Sequence, residues 1–174
     1  MNAGSILGEI CDAVVYVEWM DSHGKSHRFQ RDQCGFSYRK AENIPWGAMI
    51  TRVCFHIHRH EFEAEQTRVQ SLLKRRKQTQ PLHLPSCGSV FKNPEGDYAG
   101  RLIEATSLKG YRIGGAEISS KHANFIVNVE KATAMDVYRL IRLAQERVWE
   151  QFNIRLETEV RLMGNWPNKL VSEF

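Results

Sequence analysis

The chain lacks long apolar runs, paired-cysteine motifs and nucleotide-loop glycine motifs, and each absence removes a class of protein. No stretch approaches the ~20 consecutive apolar residues that span a bilayer, so no membrane partner is expected. The four cysteines, Cys11, Cys34, Cys54 and Cys87, are scattered with no CxxC. In a cytoplasmic chain of this size they read as reduced, packed thiols rather than a disulfide framework. GxGxxG, GxxxxGK[ST] and GxSxG are all missing, which leaves a Rossmann site, a P-loop and an α/β-hydrolase elbow unsupported. No internal repeat and no low-complexity tract is present. Met1-Asn2-Ala3-Gly4-Ser5 lacks the basic start and apolar stretch of a signal peptide, and the expectation is a cytoplasmic protein.

What remains is an ordinary globular composition. The 174 residues are 42% hydrophobic and 25% charged, enough for one compact domain or two small ones with a core that needs no disulfide or structural metal. Lys and Arg number 24 against 20 Asp and Glu, a net charge of +4. That excess suits an anionic small ligand as well as nucleic acid and decides between neither.

Periodicity predicts β structure first. Asp12–Met20 is an apolar run, Asp21-Ser22-His23-Gly24 a turn, and Lys25–Gln30 the return strand of a hairpin. Met49–Ile57 alternates, with Met49, Thr51, Val53, Phe55 and Ile57 on one face. A helix is predicted over Glu61–Gln78, with acids early and Lys74-Arg75-Arg76-Lys77 last, as the helix dipole favours. Pro81 and Pro85 then suggest a strap, and a domain boundary is expected near residue 80. The second half is expected to run as a short helix (Ala99–Thr106), a glycine-rich stretch (Lys109–Ala116), a strand (Ala123–Val129), a helix capped by Thr133 (Ala134 to about Phe152) and a strand (Arg155–Met163). Interleaving without a long parallel βαβ series makes the class α+β.

Several clusters invite chemistry. Cys54, His56 and His58 at alternate positions, with His60 beyond, suggest a metal, but alternate side chains on a strand stand roughly 7 Å apart and cannot close in line around one ion. No metal is expected. The basic run at 74–77 has no interleaved aromatics, so nucleic acid is not an expected partner either. Ser86-Cys87-Gly88-Ser89-Val90-Phe91-Lys92-Asn93-Pro94 is more informative. Small residues around a glycine let backbone approach a ligand, and Ser89, Lys92 and Asn93 offer a hydroxyl, a cation and an amide. A turn rich in small residues is the level alternative. Glu157, Glu159 and Arg161 share one predicted face that serves a site or simply meets water.

Taken together, these stretches resemble one family. The block from Ser86 to Pro94 is similar to its GS-[VF]-F-KNP signature. Gly100-Arg101-Leu102-Ile103-Glu104-Ala105, Leu108–Ala116, Lys121-His122-Ala123-Asn124-Phe125-Ile126-Val127-Asn128 and Leu156-Glu157-Thr158-Glu159-Val160-Arg161 follow in the family's order. Upstream, Met1-Asn2-Ala3-Gly4 and Cys34-Gly35-Phe36-Ser37-Tyr38-Arg39 match too. The family is UDP-N-acetylenolpyruvoylglucosamine reductase (UDP-N-acetylmuramate dehydrogenase), in the variant lacking an inserted substrate loop.

The resemblance implies an FAD- and NADPH-dependent oxidoreductase of peptidoglycan synthesis, whose flavin passes hydride to the enolpyruvyl group of a UDP-sugar. It implies that Ser89 donates the proton and that Arg39 and Glu159 stabilise the enolate. It implies substrate contacts from Lys92, Asn93 and His122, and cofactor contacts from Asn2, Gly4 and Arg161. A fixed guanidinium suits a developing enolate, whereas Glu159 helps only when it carries or shares a proton. The implied fold is the C-terminal part of an FAD-binding α+β domain (1–80) followed by a small α+β substrate-binding domain (81–174). The family's flavin-binding glycine motifs lie ahead of the Met1 block, so the chain is expected to be N-terminally truncated: a misassigned start, an enzyme split with a separate chain supplying that region, or a decayed gene. Ala41, where the family commonly has serine, adds a departure on the flavin side. The alternative reading is an inactive or split-chain remnant that still binds UDP-sugar.

Overall fold

A computed structural model describes residues 2–5, 8–57 and 61–166. The architecture is α+β, divided into two compact units, residues 1–65 and 66–174.

In the first unit, β1 (Gly4–Ser5) and β2 (Gly8–Glu9) form a short antiparallel pair. β3 (Val14–Met20) and β4 (Ser26–Gln30) are the expected hairpin. Its turn is closed by the Asp21 carboxylate, which accepts from the backbone N–H of His23 (2.9 Å) and Lys25 (3.0 Å). β5 (Phe36–Ser37) and β6 (Lys40–Ala41) form a second small hairpin. β7 (Met49–Phe55) pairs with β3, giving a three-stranded sheet of order β4-β3-β7. Val14, Val17 and Cys34 are its buried core, with Phe29, Phe36, Ile44 and Val53 packed around them.

The strict alternation expected for 49–57 does not hold. Glu18 pairs with Arg52 but Trp19 pairs with Ile50, so Thr51 is an extra residue, and a bulge of this kind moves everything beyond it to the opposite face. The strand stops at Phe55, and the His56 N–H donates to Ala13 O at 2.7 Å. His58 and His60 of the metal cluster lie outside the described residues. Among the described residues no group of three His, Cys, Asp or Glu side chains gathers.

α1 (Phe62–Thr79) follows, and the division between the units falls in its first turn. The second unit is a four-stranded antiparallel sheet of order β8-β11-β10-β9: β8 (Ser86–Ser89), β9 (Arg112–Ile113), β10 (Ala116–Ile118) and β11 (Phe125–Asn128). α2 (Ala99–Ala105) and α3 (Ala134–Phe152) cover it, with α3 lying on β9, β10 and α2. The α3 stripe of Leu140, Ile141, Ala144 and Val148 meets Leu102, Ile103, Ile118 and Ile126 in the main core. Gly115 has no room for a side chain: an added Cβ would lie 1.9 Å from Glu130 O.

One open reading is decided and one expectation is corrected. Ser86–Ser89 is a strand, with Gly88 at φ +81° supplying an irregularity that Val127↔Ser86 and Phe125↔Ser89 accommodate. Arg155–Met163 is not a strand: it makes one antiparallel bridge, Phe91↔Thr158. The partner segment is too short to ladder further, because Pro94 has no N–H and the Asn93 side chain turns to the start of α2. Burial follows the expected faces only at its ends, with Leu156 buried and Glu157 and Arg161 exposed, while Thr158, Glu159 and Val160 between them are all half-buried.

Candidate active site

Ser89, Lys92 and Asn93 lie on one short extended segment of the second unit. Its centre, Val90–Phe91, is buried and held from both sides. On one side, Val90 N–H donates to Asn124 O (2.9 Å), while Phe91 N–H donates to Asn124 Oδ1 (2.9 Å) and Phe91 O accepts from Asn124 Nδ2 (2.8 Å). On the other side, Glu159 N–H donates to Val90 O (2.8 Å) and Lys92 N–H donates to Glu157 O (2.9 Å). The residue bearing the candidate proton donor is therefore a direct neighbour of the one hydrogen-bonded to Glu159. Ser89 is exposed and Glu159 half-buried.

The flanking polar groups are partly committed. The Lys92 side chain is only 15% exposed and forms an ion pair with the more open Glu157 carboxylate. Asn93 Oδ1 accepts from Ala99 N–H (3.1 Å), satisfying one orphan donor at the start of α2. His122 is half-buried, its ring edge-on to Phe125 at 4.9 Å. Its Nδ1 accepts from Asn124 N–H (3.2 Å), which puts the ring proton on Nε2. Burial holds its pKa below 6.5, with the nearby Lys109 ammonium adding to the shift, so at neutral pH it is an uncharged donor. Gly100 of α2 packs against it: an added Cβ would come within 3.1 Å of His122 Cε1.

Arg161 is exposed and lines a separate groove of about 510 Å³ bounded by Cys87, Tyr138, Val160, Met163 and Trp166. Ser89 and Glu159 are not among that groove's walls.

Arg39, Asn2 and Gly4 belong to the first unit and meet there. Arg39 sits at the β5–β6 turn at φ 60°, a left-handed conformation that costs a non-glycine residue about 1–3 kcal/mol. Its guanidinium is 5.2 Å from the Tyr38 ring centre, and a Cβ at Gly4 would lie 2.9 Å from Arg39 Nη1. Asn2 is fully buried. Its Nδ2 donates to Glu9 Oε2 (2.7 Å) and Ser37 O (3.3 Å), and its Oδ1 accepts from Cys11 N–H (3.0 Å). Asn2 thus ties the first strands to the hairpin that bears Arg39.

Sequence reasoning missed Asn124 and Glu157 as organisers of the segment. The only available signal was an asparagine just ahead of a strand, a position at which this residue usually serves a turn.

Residues 80–163 match the family model for the UDP-N-acetylenolpyruvoylglucosamine reductase C-terminal domain. The chain is 47% identical over 167 residues to the UDP-N-acetylenolpyruvoylglucosamine reductase of Anaeromyxobacter dehalogenans (strain 2CP-C), covering 96% of this chain and 50% of that one. It is 44% identical over 175 residues to that of Synechococcus sp. (strain JA-3-3Ab), covering 99% and 55%. The crystal structure of the Thermus caldophilus UDP-N-acetylenolpyruvylglucosamine reductase superposes with a TM-score of 0.78 at 41% identity, over 96% of this chain and 58% of that one. The chain spans about half the length of the curated relatives it matches.

Proposed function

Because the chain belongs to the UDP-N-acetylenolpyruvoylglucosamine reductase family, we propose that it serves the reduction of UDP-N-acetylenolpyruvoylglucosamine to UDP-N-acetylmuramate in peptidoglycan synthesis, in the cytoplasm. Residues 81–174 are the substrate-binding domain in this reading, and residues 1–80 the latter part of an FAD-binding domain. The observation that carries it is the hydrogen-bonded segment Val90–Lys92, which joins the Ser89 strand to the Glu159 segment.

When bound, FAD reduced by NADPH supplies the hydride for the enolpyruvyl methylene carbon. The residues expected to touch it fit unequally. Arg161 fits, as an exposed cation on the wall of an apolar groove. Asn2 is fully buried with its amide spent within the chain, so it serves as scaffold rather than as a cofactor contact, and Gly4 leaves space for Arg39.

The protein's own work is binding, charge stabilisation and proton delivery. His122 donates from Nε2 to the nucleotide part of the substrate, and Lys92 and Asn93 contact it beside the segment. Arg39 supplies a charge that is fixed at any working pH, suited to the enolate developing next to a carboxylate. Glu159 acts on the same centre, a role that requires it to carry or share a proton. Ser89 then gives its hydroxyl proton to the neighbouring carbon, which only a strongly basic, well-positioned carbanion can take from so weak an acid.

The test is NADPH oxidation by the full chain with FAD and the enolpyruvyl substrate, with and without a second polypeptide carrying the remainder of the relatives' sequence. Ser89→Ala is expected to lose about 10²- to 10⁴-fold in kcat, the usual worth of a positioned general acid. Turnover that appears only with the second polypeptide supports the separate-chain partner. UDP-sugar binding without turnover under either condition supports the remnant, and absence of both sinks the family activity for this chain.

A further inference from the structure

We infer that Asn124 is a positioning residue for the reduction: its carboxamide takes over from β11 where that strand ends, and so fixes where Ser89 presents its hydroxyl. The role rests on the reading of Ser89 as proton donor.

The last regular rung between β8 and β11 is Ser89↔Phe125. Beyond it β11 has no further backbone to offer Phe91, because the chain upstream folds into a turn closed by Phe125 N–H donating to His122 O (3.0 Å). Phe91 nonetheless has both its N–H and its C=O satisfied on that side, by Oδ1 (2.9 Å) and Nδ2 (2.8 Å) of one side chain. A carboxamide presents a donor and an acceptor in one plane, as a peptide group does, so Asn124 supplies the missing rung. The clamp is dry, with Asn124 4% and Phe91 2% exposed, so an unmade bond there has no water to replace it. Few side chains can do this. Aspartate cannot donate to Phe91 O, glutamine is a methylene too long, and alanine leaves both Phe91 groups unmet. Asn124 also touches the other end of the site, since its backbone N–H fixes the His122 ring.

The experiment compares the full chain with Asn124→Asp and Asn124→Ala, first by amide hydrogen exchange and then by turnover. Exchange at Phe91 is expected to quicken by about tenfold or more in Asn124→Ala, while Leu140 and Ile141 in α3 keep their protection; Asn124→Asp keeps an acceptor for Phe91 N–H, loses the donor to Phe91 O and is compared by turnover. With flavin, NADPH, the enolpyruvyl substrate and, where turnover requires it, the second polypeptide supplied, kcat is expected to fall about 10²-fold in both variants, as a displaced catalytic group typically costs. The solvent deuterium isotope effect on kcat should rise as protonation becomes limiting, which a merely destabilised fold would not produce. Wild-type exchange at Phe91 in Asn124→Ala overturns the clamp. Faster exchange with kcat and isotope effect unchanged overturns its link to Ser89. A wild-type chain that protects Phe91 but reduces nothing, even with the second polypeptide that carries the remainder of the relatives' sequence, overturns the functional reading and leaves the clamp standing.

Discussion

At the scale of single residues, His122 is the most informative titratable group. Its folded pKa lies below the 6.5 of a free imidazole because burial disfavours the cation. The unfolded chain therefore binds this proton more readily, and the stabilising contribution is complete above pH 6.5 and lost as pH falls through the folded value. Protonation also removes the acceptor for Asn124 N–H. UDP binding followed by calorimetry is expected to weaken over the same acidic range, and an affinity flat through that range would exclude His122 from the ligand contact. Gly100 offers a test that separates binding from stability. Gly100→Ala gains helix propensity of up to about 1 kcal/mol but presses a methyl group 3.1 Å from His122 Cε1. A melting temperature at or above wild type with weaker UDP affinity is expected; equal affinity would mean that the ring's position does not matter. The residue types Ser89, Arg39 and Glu159 were legible in the sequence as candidates, whereas their supports were not. Asn124 looks like a turn former in the chain, and only the arrival of Phe91, 33 positions away, makes it a buried clamp.

At the scale of elements, helices were read well because their signals are local. Thr133 caps α3 as expected: its hydroxyl accepts from Asp136 N–H at 3.1 Å and the Asp136 carboxylate accepts from Thr133 N–H at 2.9 Å. Thr133→Ala is expected to cost about 1 kcal/mol by chemical denaturation, and an unchanged midpoint would show that the helix end is held by packing alone. α2 gives a pH signature. Asp97 binds Arg101 and accepts from Tyr98 N–H, which lowers its pKa to about 2. Its contribution is complete above the ordinary 3.8 and is lost as pH falls toward about 2, so Asp97→Asn should flatten the acid limb of the stability profile there. Strands were read less well because pairing depends on distant partners. Residues 155–163 carry the alternation of a strand, yet only Val90–Lys92 is available to pair with them. Ser86–Ser89 carries no strand propensity and ladders because β11 offers it an edge.

At the scale of the whole molecule, the two units differ in how much they bury. Among the described residues the second unit's core cluster holds fifteen buried residues, including the α3 stripe, while the first unit's holds three, Val14, Val17 and Cys34. Hydrophobic stabilisation scales with apolar area removed from water, so the second unit carries most of the driving force. The first unit meanwhile leaves large apolar groups on its surface: Met49, Ile50 and Phe55 along β7, with Trp46 and Ile57 at 85% exposure. Among the described strands β7 is an edge, paired on one side only with β3, and an apolar edge is open to further pairing or to association. Two consequences are expected together. Amide exchange of Val17 in β3 should be markedly faster than that of Ile141 in α3, because local opening of the smaller core costs less. A polypeptide that pairs with β7 should slow the first without touching the second, since anything that binds the folded form stabilises the part it contacts. Equal protection of Val17 and Ile141 in the isolated chain would mean that the two units unfold as one, and that the smaller core draws its stability from the larger.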